Sequence, residues 1–147
     1  VAVLGAGGAA RAMIYGLMKK GAIITLYNRT MQKAEALATE FGCSADSLED
    51  TERLSKSDIL INATSVGMKP HTDEAPINTD ILHKDQIVFD AIYAPFETKL
   101  LQEAKKHGAT IIPGVEMLLY QALTQFELYT GHNAPEEVMR KVLYTQI

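Results

Sequence analysis

The chain has a single cysteine, Cys43, among 147 residues. No intramolecular disulfide can support the fold, and a reducing, cytoplasmic setting is the expected one. It lacks an uninterrupted apolar run of about 18 residues, the length a membrane-spanning helix requires, and it lacks a signal-like start, so neither membrane insertion nor secretion is expected. No basic tract is present. The 14 Lys and Arg are scattered against 18 Asp and Glu for a formal net charge of −4, which argues against nucleic acid as the main partner. There is no internal repeat, no low-complexity stretch and no initiator methionine. Val1 opens directly into an apolar strand that a parallel sheet would bury at its centre, so the expectation is a piece of a longer polypeptide with residues upstream. What the chain does have is apolar patterning. At 47% hydrophobic residues, residues 1–147 are expected to form one domain with its own core.

Strand and helix signals alternate to the end, the pattern of a doubly wound α/β sheet of about six parallel strands with two closing helices. Strands are expected at Val1–Leu4, Ala22–Tyr27, near Cys43–Ala45, at Asp58–Ala63, Gln86–Ala91 and Thr110–Ile112. Between them, Ala9, Ala10, Met13, Ile14, Leu17 and Met18 recur at helical spacing, as do Met31, Ala34, Leu37, Ala38 and Phe41. Ser47–Leu54 reads as a helical turn. Leu100, Leu101 and Ala104 mark a further helix, and helices close the chain at about Val115–Tyr129 and Pro135–Tyr144.

The first strand runs into Gly5-Ala6-Gly7-Gly8-Ala9-Ala10, a Gly-x-Gly-x-x-Ala turn at a strand-to-helix junction. Gly5 suits the tight turn, Gly7 lets the main chain approach a diphosphate, and Ala10 permits close helix-on-strand packing. The helix N-terminus then offers unpaired N–H groups and a positive dipole end to the phosphates. About 20 residues on, where a dinucleotide fold places an acid against the adenosine ribose, stands Asn28-Arg29-Thr30. A guanidinium and a hydroxyl there favour a 2′-phosphate, hence NADP over NAD, the alternative for Arg29 being an ordinary surface charge. Thr30 also suits the N-cap of the next helix, and Lys33, one turn in, reads either as a second charge near the phosphate or as a solvated lysine. Five segments end strands and so face the crevice where such sheets bind ligands: 5–10, 28–30, 62–68, 90–95 and 113–117. Asn62, Thr64 and Ser65 are equally suited to contacting a ligand and to satisfying loop backbone groups.

Taken in order, these segments resemble the NADP-binding domain of shikimate dehydrogenases. The resemblance rests on Gly5-Ala-Gly-Gly-Ala9, Asn28-Arg-Thr-x-x-Lys33, Asn62-Ala-Thr-Ser-x-Gly-Met68, Asp90-x-x-Tyr93-x-Pro95-x-x-Thr98-x-Leu-Leu101, and Pro113-Gly114-x-x-Met117-Leu-x-x-Gln121. It implies NADPH-dependent reduction of 3-dehydroshikimate to shikimate, a step of aromatic amino-acid biosynthesis, with a small-molecule substrate and no metal. It further implies that Gly5, Ala6, Gly7, Gly8, Ala9, Asn28, Arg29, Thr30 and Lys33 hold the diphosphate and the adenosine 2′-phosphate. Thr64, Ser65 and Met68 would lie along the cofactor, Gly114 and Met117 near the nicotinamide, and Tyr93 and Gln121 would face the substrate. An arginine is common in the family where Lys33 stands, so a charge is kept and bidentate geometry is lost.

The resemblance also implies that the catalytic Lys and Asp belong to an N-terminal substrate domain absent from these residues, leaving no catalytic residue here and an isolated chain that binds NADP without turnover. Lys69, in Lys69-Pro-His-Thr-Asp73, reads as part of a solvated loop rather than as a replacement. The closing helices carry more apolar residues than one sheet face needs (Leu118, Leu119, Leu123, Phe126, Val138, Val142, Leu143), a surface suited to self-association where the missing domain would sit. Two alternatives remain at this stage: a quinate/shikimate dehydrogenase of broader cofactor range, and a non-catalytic nucleotide-binding module.

Overall fold

In the computed structural model, which describes residues 1–146, six parallel strands form one sheet. They are β1 (Ala2–Leu4), β2 (Thr25–Tyr27), β3 (Ser44–Asp46), β4 (Ile59–Asn62), β5 (Ile87–Asp90) and β6 (Thr110–Ile112). Their order across the sheet is β3-β2-β1-β4-β5-β6. The chain thus winds outward from β1 in one direction, returns, and winds outward in the other from β4. Adjacent parallel strands at the centre, β1 and β4, feed their connections to opposite faces, which opens a crevice at their C-terminal ends. The helices are α1 (Gly8–Lys19), α2 (Met31–Phe41), α3 (Thr51–Ser55), α4 (Lys99–Lys106), α5 (Gly114–Thr130) and α6 (Glu136–Tyr144).

Side-chain alternation along the short central strands splits the core between the two faces. Val3, Leu26 and Ile61 pack with Ala10 and Ile14 of α1 and Ala34 and Leu37 of α2. Ala2, Leu4, Tyr27, Leu60 and Val88 pack on the other face with Leu54 of α3 and Leu100, Leu101 and Ala104 of α4. Burial on both faces is why these strands read as continuous apolar runs.

The expected elements all form, with shifts that have physical causes. β3 is displaced by one residue from Cys43–Ala45, and its side chains are only partly covered because it is an edge strand, so its sequence carries little apolar signal. β2 begins at Thr25 rather than Ala22, since Ile23 projects into solvent at 89% exposure. The loop after β4 contains one 3-10 turn at Thr79–Ile81 that the pattern did not foretell, held by the Asn78 side chain accepting from the Asp80 N–H at 3.1 Å.

Two glycines set the shape of the crevice. Gly5 has φ +105°, and a Cβ there would lie 2.9 Å from the Ala63 carbonyl oxygen, so β1 can turn toward α1 beside the end of β4 only without a side chain. At Gly114 a Cβ would lie 2.4 Å from the Ile92 oxygen and 2.6 Å from the Ala91 oxygen. The start of α5 is therefore pressed onto the chain leaving β5. Gly114→Ala is expected to destabilise the fold by about 1–3 kcal/mol, the range for overpacking, read as a lower urea midpoint at unchanged slope; an unchanged midpoint would contradict this packing.

Candidate functional site

The crevice is built first from an incomplete helix end. α1 has Gly7 as its N-cap with no capping side chain and no acid in its first turn. The first amide of this region to find an intrachain acceptor is that of Arg11, which donates to the Gly7 oxygen at 3.0 Å. The N–H groups of Gly8, Ala9 and Ala10 point out of the helix end with no acceptor among the described residues. A Cβ at Gly7 or Gly8 would meet nothing within 4 Å. Among the described residues nothing within 4 Å excludes a side chain there, in contrast to Gly5, so the backbone at Gly7 and Gly8 is open to the crevice.

A buried polar clamp forms the second wall. Asn62 and Asp90 end β4 and β5, are paired in register, and are fully buried. The Asn62 amide donates to both Asp90 oxygens at 3.1 Å and to the Val66 carbonyl at 3.2 Å. Its Oδ1 accepts from the Thr64 N–H at 3.0 Å and from the Thr64 hydroxyl at 2.7 Å, and that hydroxyl accepts from the Val66 N–H at 3.1 Å. Asp90 also accepts from the Ile92 N–H at 3.0 Å and the Thr98 hydroxyl at 2.7 Å. Thr98 in turn caps α4 through the Leu101 N–H at 3.4 Å. The loops after β4 and β5 are thereby tied to one another. Burial without a cation raises the Asp90 carboxyl above its ordinary 3.8, against the pull of the donors from Thr98, Ile92 and Asn62.

Between these walls lies a cleft of about 620 Å³ lined by Gly7, Gly8 and Ala9 from α1, residues 63–65 with Met68 and Lys69 from the loop after β4, residues 91–94 from the loop after β5, and Met117 of α5. A second groove, about 280 Å³, continues past Thr64 and Ser65 to Gly5, Asn28, Arg29, Leu48 and Pro76. Thr64 and Ser65 line both, so the two form one elongated trough across the strand ends.

Most of the expected site residues meet in this trough. Tyr93 is half exposed on the cleft wall near Met117 of the same lining. Arg29 is exposed in the second groove, beside Asn28, whose side-chain amide donates to the Thr30 carbonyl at 2.9 Å and shapes the turn. Thr30 is the N-cap residue of α2, yet its hydroxyl makes no capping bond. Lys33 lies one turn into α2, exposed and outside the groove lining, and Ala6 and Gln121 are likewise not among the lining residues. Gly114 is buried beneath the cleft, where it seats α5. Lys69 stands in an exposed loop, as its surroundings in the sequence suggest, and also lines the cleft. The Asn62–Asp90 clamp was not foreseen; its only sequence signal is that two apolar strands each end in a short polar residue.

Residues 1–91 match the family described as shikimate / quinate 5-dehydrogenase, and residues 114–144 match the shikimate 5′-dehydrogenase C-terminal domain. The shikimate dehydrogenase (NADP(+)) of Haloarcula marismortui is 48% identical over 141 residues, which cover 93% of this chain and 52% of that protein. The chain thus spans about half the length of that relative. Shikimate 5-dehydrogenase from Thermus thermophilus, solved with NADP(H) and shikimate, superposes with a TM-score of 0.91 at 34% identity, covering 99% of this chain and 54% of its own. Quinate dehydrogenase from Corynebacterium glutamicum, solved with NAD, gives 0.92 at 27% identity, with 99% and 54% covered.

The clamp carries a pH signature. A raised carboxyl pKa means the folded state holds the proton more tightly than the unfolded one, so the contribution of Asp90 to stability is greatest in acid and is lost as pH rises from about 3.8 through the folded-state pKa. Asp90→Asn removes this titration and breaks at least one buried contact, at a cost of about 1–3 kcal/mol. The stability gap between wild type and variant, measured by urea unfolding across pH 3.5–8, is expected to narrow as pH rises; a gap that widens would contradict the assignment.

Proposed function

Because the chain belongs to the shikimate / quinate 5-dehydrogenase family, we propose that residues 1–147 are the NADP-binding domain of a cytoplasmic dehydrogenase that reduces 3-dehydroshikimate to shikimate. The single observation that carries this reading is the trough, whose one end is a helix N-terminus opening on Gly7 and Gly8 with no acid in its first turn and whose other end holds the Arg29 guanidinium, exposed and without an ion-pair partner among the described residues. The donor set fits a dinucleotide 2′-phosphate. The amides of Gly8, Ala9 and Ala10 would take the diphosphate, where a helix N-terminus is suited to anions. Arg29, with the uncommitted Thr30 hydroxyl and Lys33 close by in sequence, would take the 2′-phosphate. Thr64 and Ser65 lie where the two grooves meet, along the path between those ends. The Thr64 hydroxyl is occupied by Asn62 and Val66, so its part is to hold the loop against the cofactor with its methyl and backbone.

The bound dinucleotide supplies a hydride. Met68 and Met117 offer an apolar wall for a nicotinamide, and Tyr93 on the loop after β5, with Gln121 one turn beyond Met117 on α5, would face the substrate. Reduction of a ketone builds negative charge on its oxygen and calls for a proton donor there. Among the described residues the cleft lining holds no carboxylic acid or histidine, and its two ionisable side chains, Lys69 and Tyr93, are both exposed to solvent. We assign the donor to a segment outside these residues, matching the remaining half of the relatives' length. The apolar groove between α5 and α6, lined by Leu118, Leu119, Val138 and Val142, would be covered by that segment or, in its absence, by a second copy of the chain.

The broader quinate reading is favoured by one observation, the likeness to a quinate dehydrogenase solved with NAD; Arg29 weighs against it. A non-catalytic nucleotide-binding role would leave the Tyr93 wall of the cleft without a use.

Arg29→Gln is expected to weaken NADP binding by about 10- to 150-fold, the worth of about 1.5–3 kcal/mol of charge-assisted contacts, and to leave NAD affinity within a factor of about two; equal losses for both, by calorimetry, would remove the 2′-phosphate role. The purified chain alone is expected to show no shikimate oxidation with NADP and to run larger than a monomer by light scattering. Turnover would place the proton donor within residues 1–147, and a monodisperse monomer would dismiss the uncovered face.

A further inference from the structure

The loop after β4 carries one cation into the cleft. Lys69 is the only charged side chain in the lining among the described residues, and it enters no ion pair there. Its neighbours in sequence are otherwise engaged: Glu74 is held by His71 at 3.0 Å. The backbone fixes where the side chain starts, because the Met68 N–H donates to the Ser65 carbonyl at 3.2 Å and the His71 N–H to the Met68 carbonyl at 2.9 Å. Two consecutive turns therefore present Lys69 from a loop that the Asn62 clamp anchors at its base.

The same cleft receives the first turn of α1, with its unpaired amides and no acid. Two sources of positive potential thus face one cavity whose lining contains no carboxylate. Water satisfies both in the open cleft, and an entering anion would gain attraction from both at once. Lys69 does not line the second groove, where Asn28 and Arg29 lie. Its charge therefore lies in the part of the trough that holds the helix end, apart from the groove of Arg29.

We propose that Lys69 is an anion-binding residue of this cleft, and that its ammonium closes on the diphosphate of the bound dinucleotide from the loop after β4. The proposal rests on the NADP reading of the trough. A flexible stem with three donors suits a diphosphate, which offers several oxygens and changes conformation along a cofactor, better than a planar fork would. The helix amides fix the position of the phosphates, and Lys69 adds net charge to a site that otherwise has only dipoles. Its contribution is screened, since the side chain is exposed in the open cleft.

The test is calorimetric titration of the wild-type chain, Lys69→Gln and Lys69→Arg with NADP and with adenosine 2′-monophosphate, which keeps the 2′-phosphate and lacks the diphosphate. Lys69→Gln is expected to weaken NADP by about three- to tenfold, allowing for solvent screening of an exposed charge-assisted bond. The loss should shrink at high salt, Lys69→Arg should restore most of the affinity, and adenosine 2′-monophosphate should bind all three proteins alike, which also shows that the variants are folded. Unchanged NADP affinity in Lys69→Gln, with wild type binding normally, would overturn the proposal and leave the cofactor reading intact. An equal loss for both ligands would overturn it as well, by moving the charge to the adenosine end. Failure of the wild-type chain to bind either ligand would overturn the cofactor reading and this inference with it.

Discussion

Everything the crevice can do depends on the buried contact between Asn62 and Asp90. The two residues end the neighbouring strands β4 and β5 in register, so an in-plane amide-to-carboxylate bond can form only if both strands stop together. The carboxylate has no cation beside it and is satisfied wholly by neutral donors from Asn62, Ile92 and Thr98. Buried charges of this kind are retained only where every acceptor site is filled. Here no buried side-chain polar atom among the described residues lacks a partner.

From that contact the geometry of both loops follows. Asn62 uses its other oxygen to bend the chain back at Thr64, which places Ser65, Met68 and Lys69 on one wall. Asp90 turns the chain at Ile92 and, through Thr98, sets the start of α4, which places Tyr93 on the opposing loop. Gly114 then brings α5 hard against the Ile92 carbonyl and carries Met117 into the same space. The helix end at Gly7 and Gly8 is bare on the side that this frame leaves open. A polar scaffold thus frames a trough lined by backbone amides and two separated cations, Arg29 and Lys69.

Much of this was legible in the sequence because it is local. The Gly5–Ala10 turn, the helix after it and the cation at position 29 each declare themselves within a few residues, through spacing and side-chain type. What was illegible is non-local. That Asn62 faces Asp90 depends on which strands are neighbours and on their register, and a strand's apolar run says nothing of either. Lys69 sits in a polar loop whose composition is that of any solvated turn, and only the folding of that loop over the strand ends brings it to the cleft. Gly114 reads as a ligand-facing glycine, and the tight approach of α5 to the β5 loop adds a packing role that the sequence does not announce. β3 was poorly marked because an edge strand needs little apolar surface.

A trough with bare helix amides at one end and Arg29 at the other should tell a dinucleotide bearing a 2′-phosphate from one without it. The most direct measurement is the calorimetric affinity of the wild-type chain for NADP and for NAD at low and at high salt. NADP is expected to bind at least about tenfold more tightly, as one charge-assisted phosphate contact requires, with the preference shrinking as salt rises. Equal affinities at low salt would contradict it.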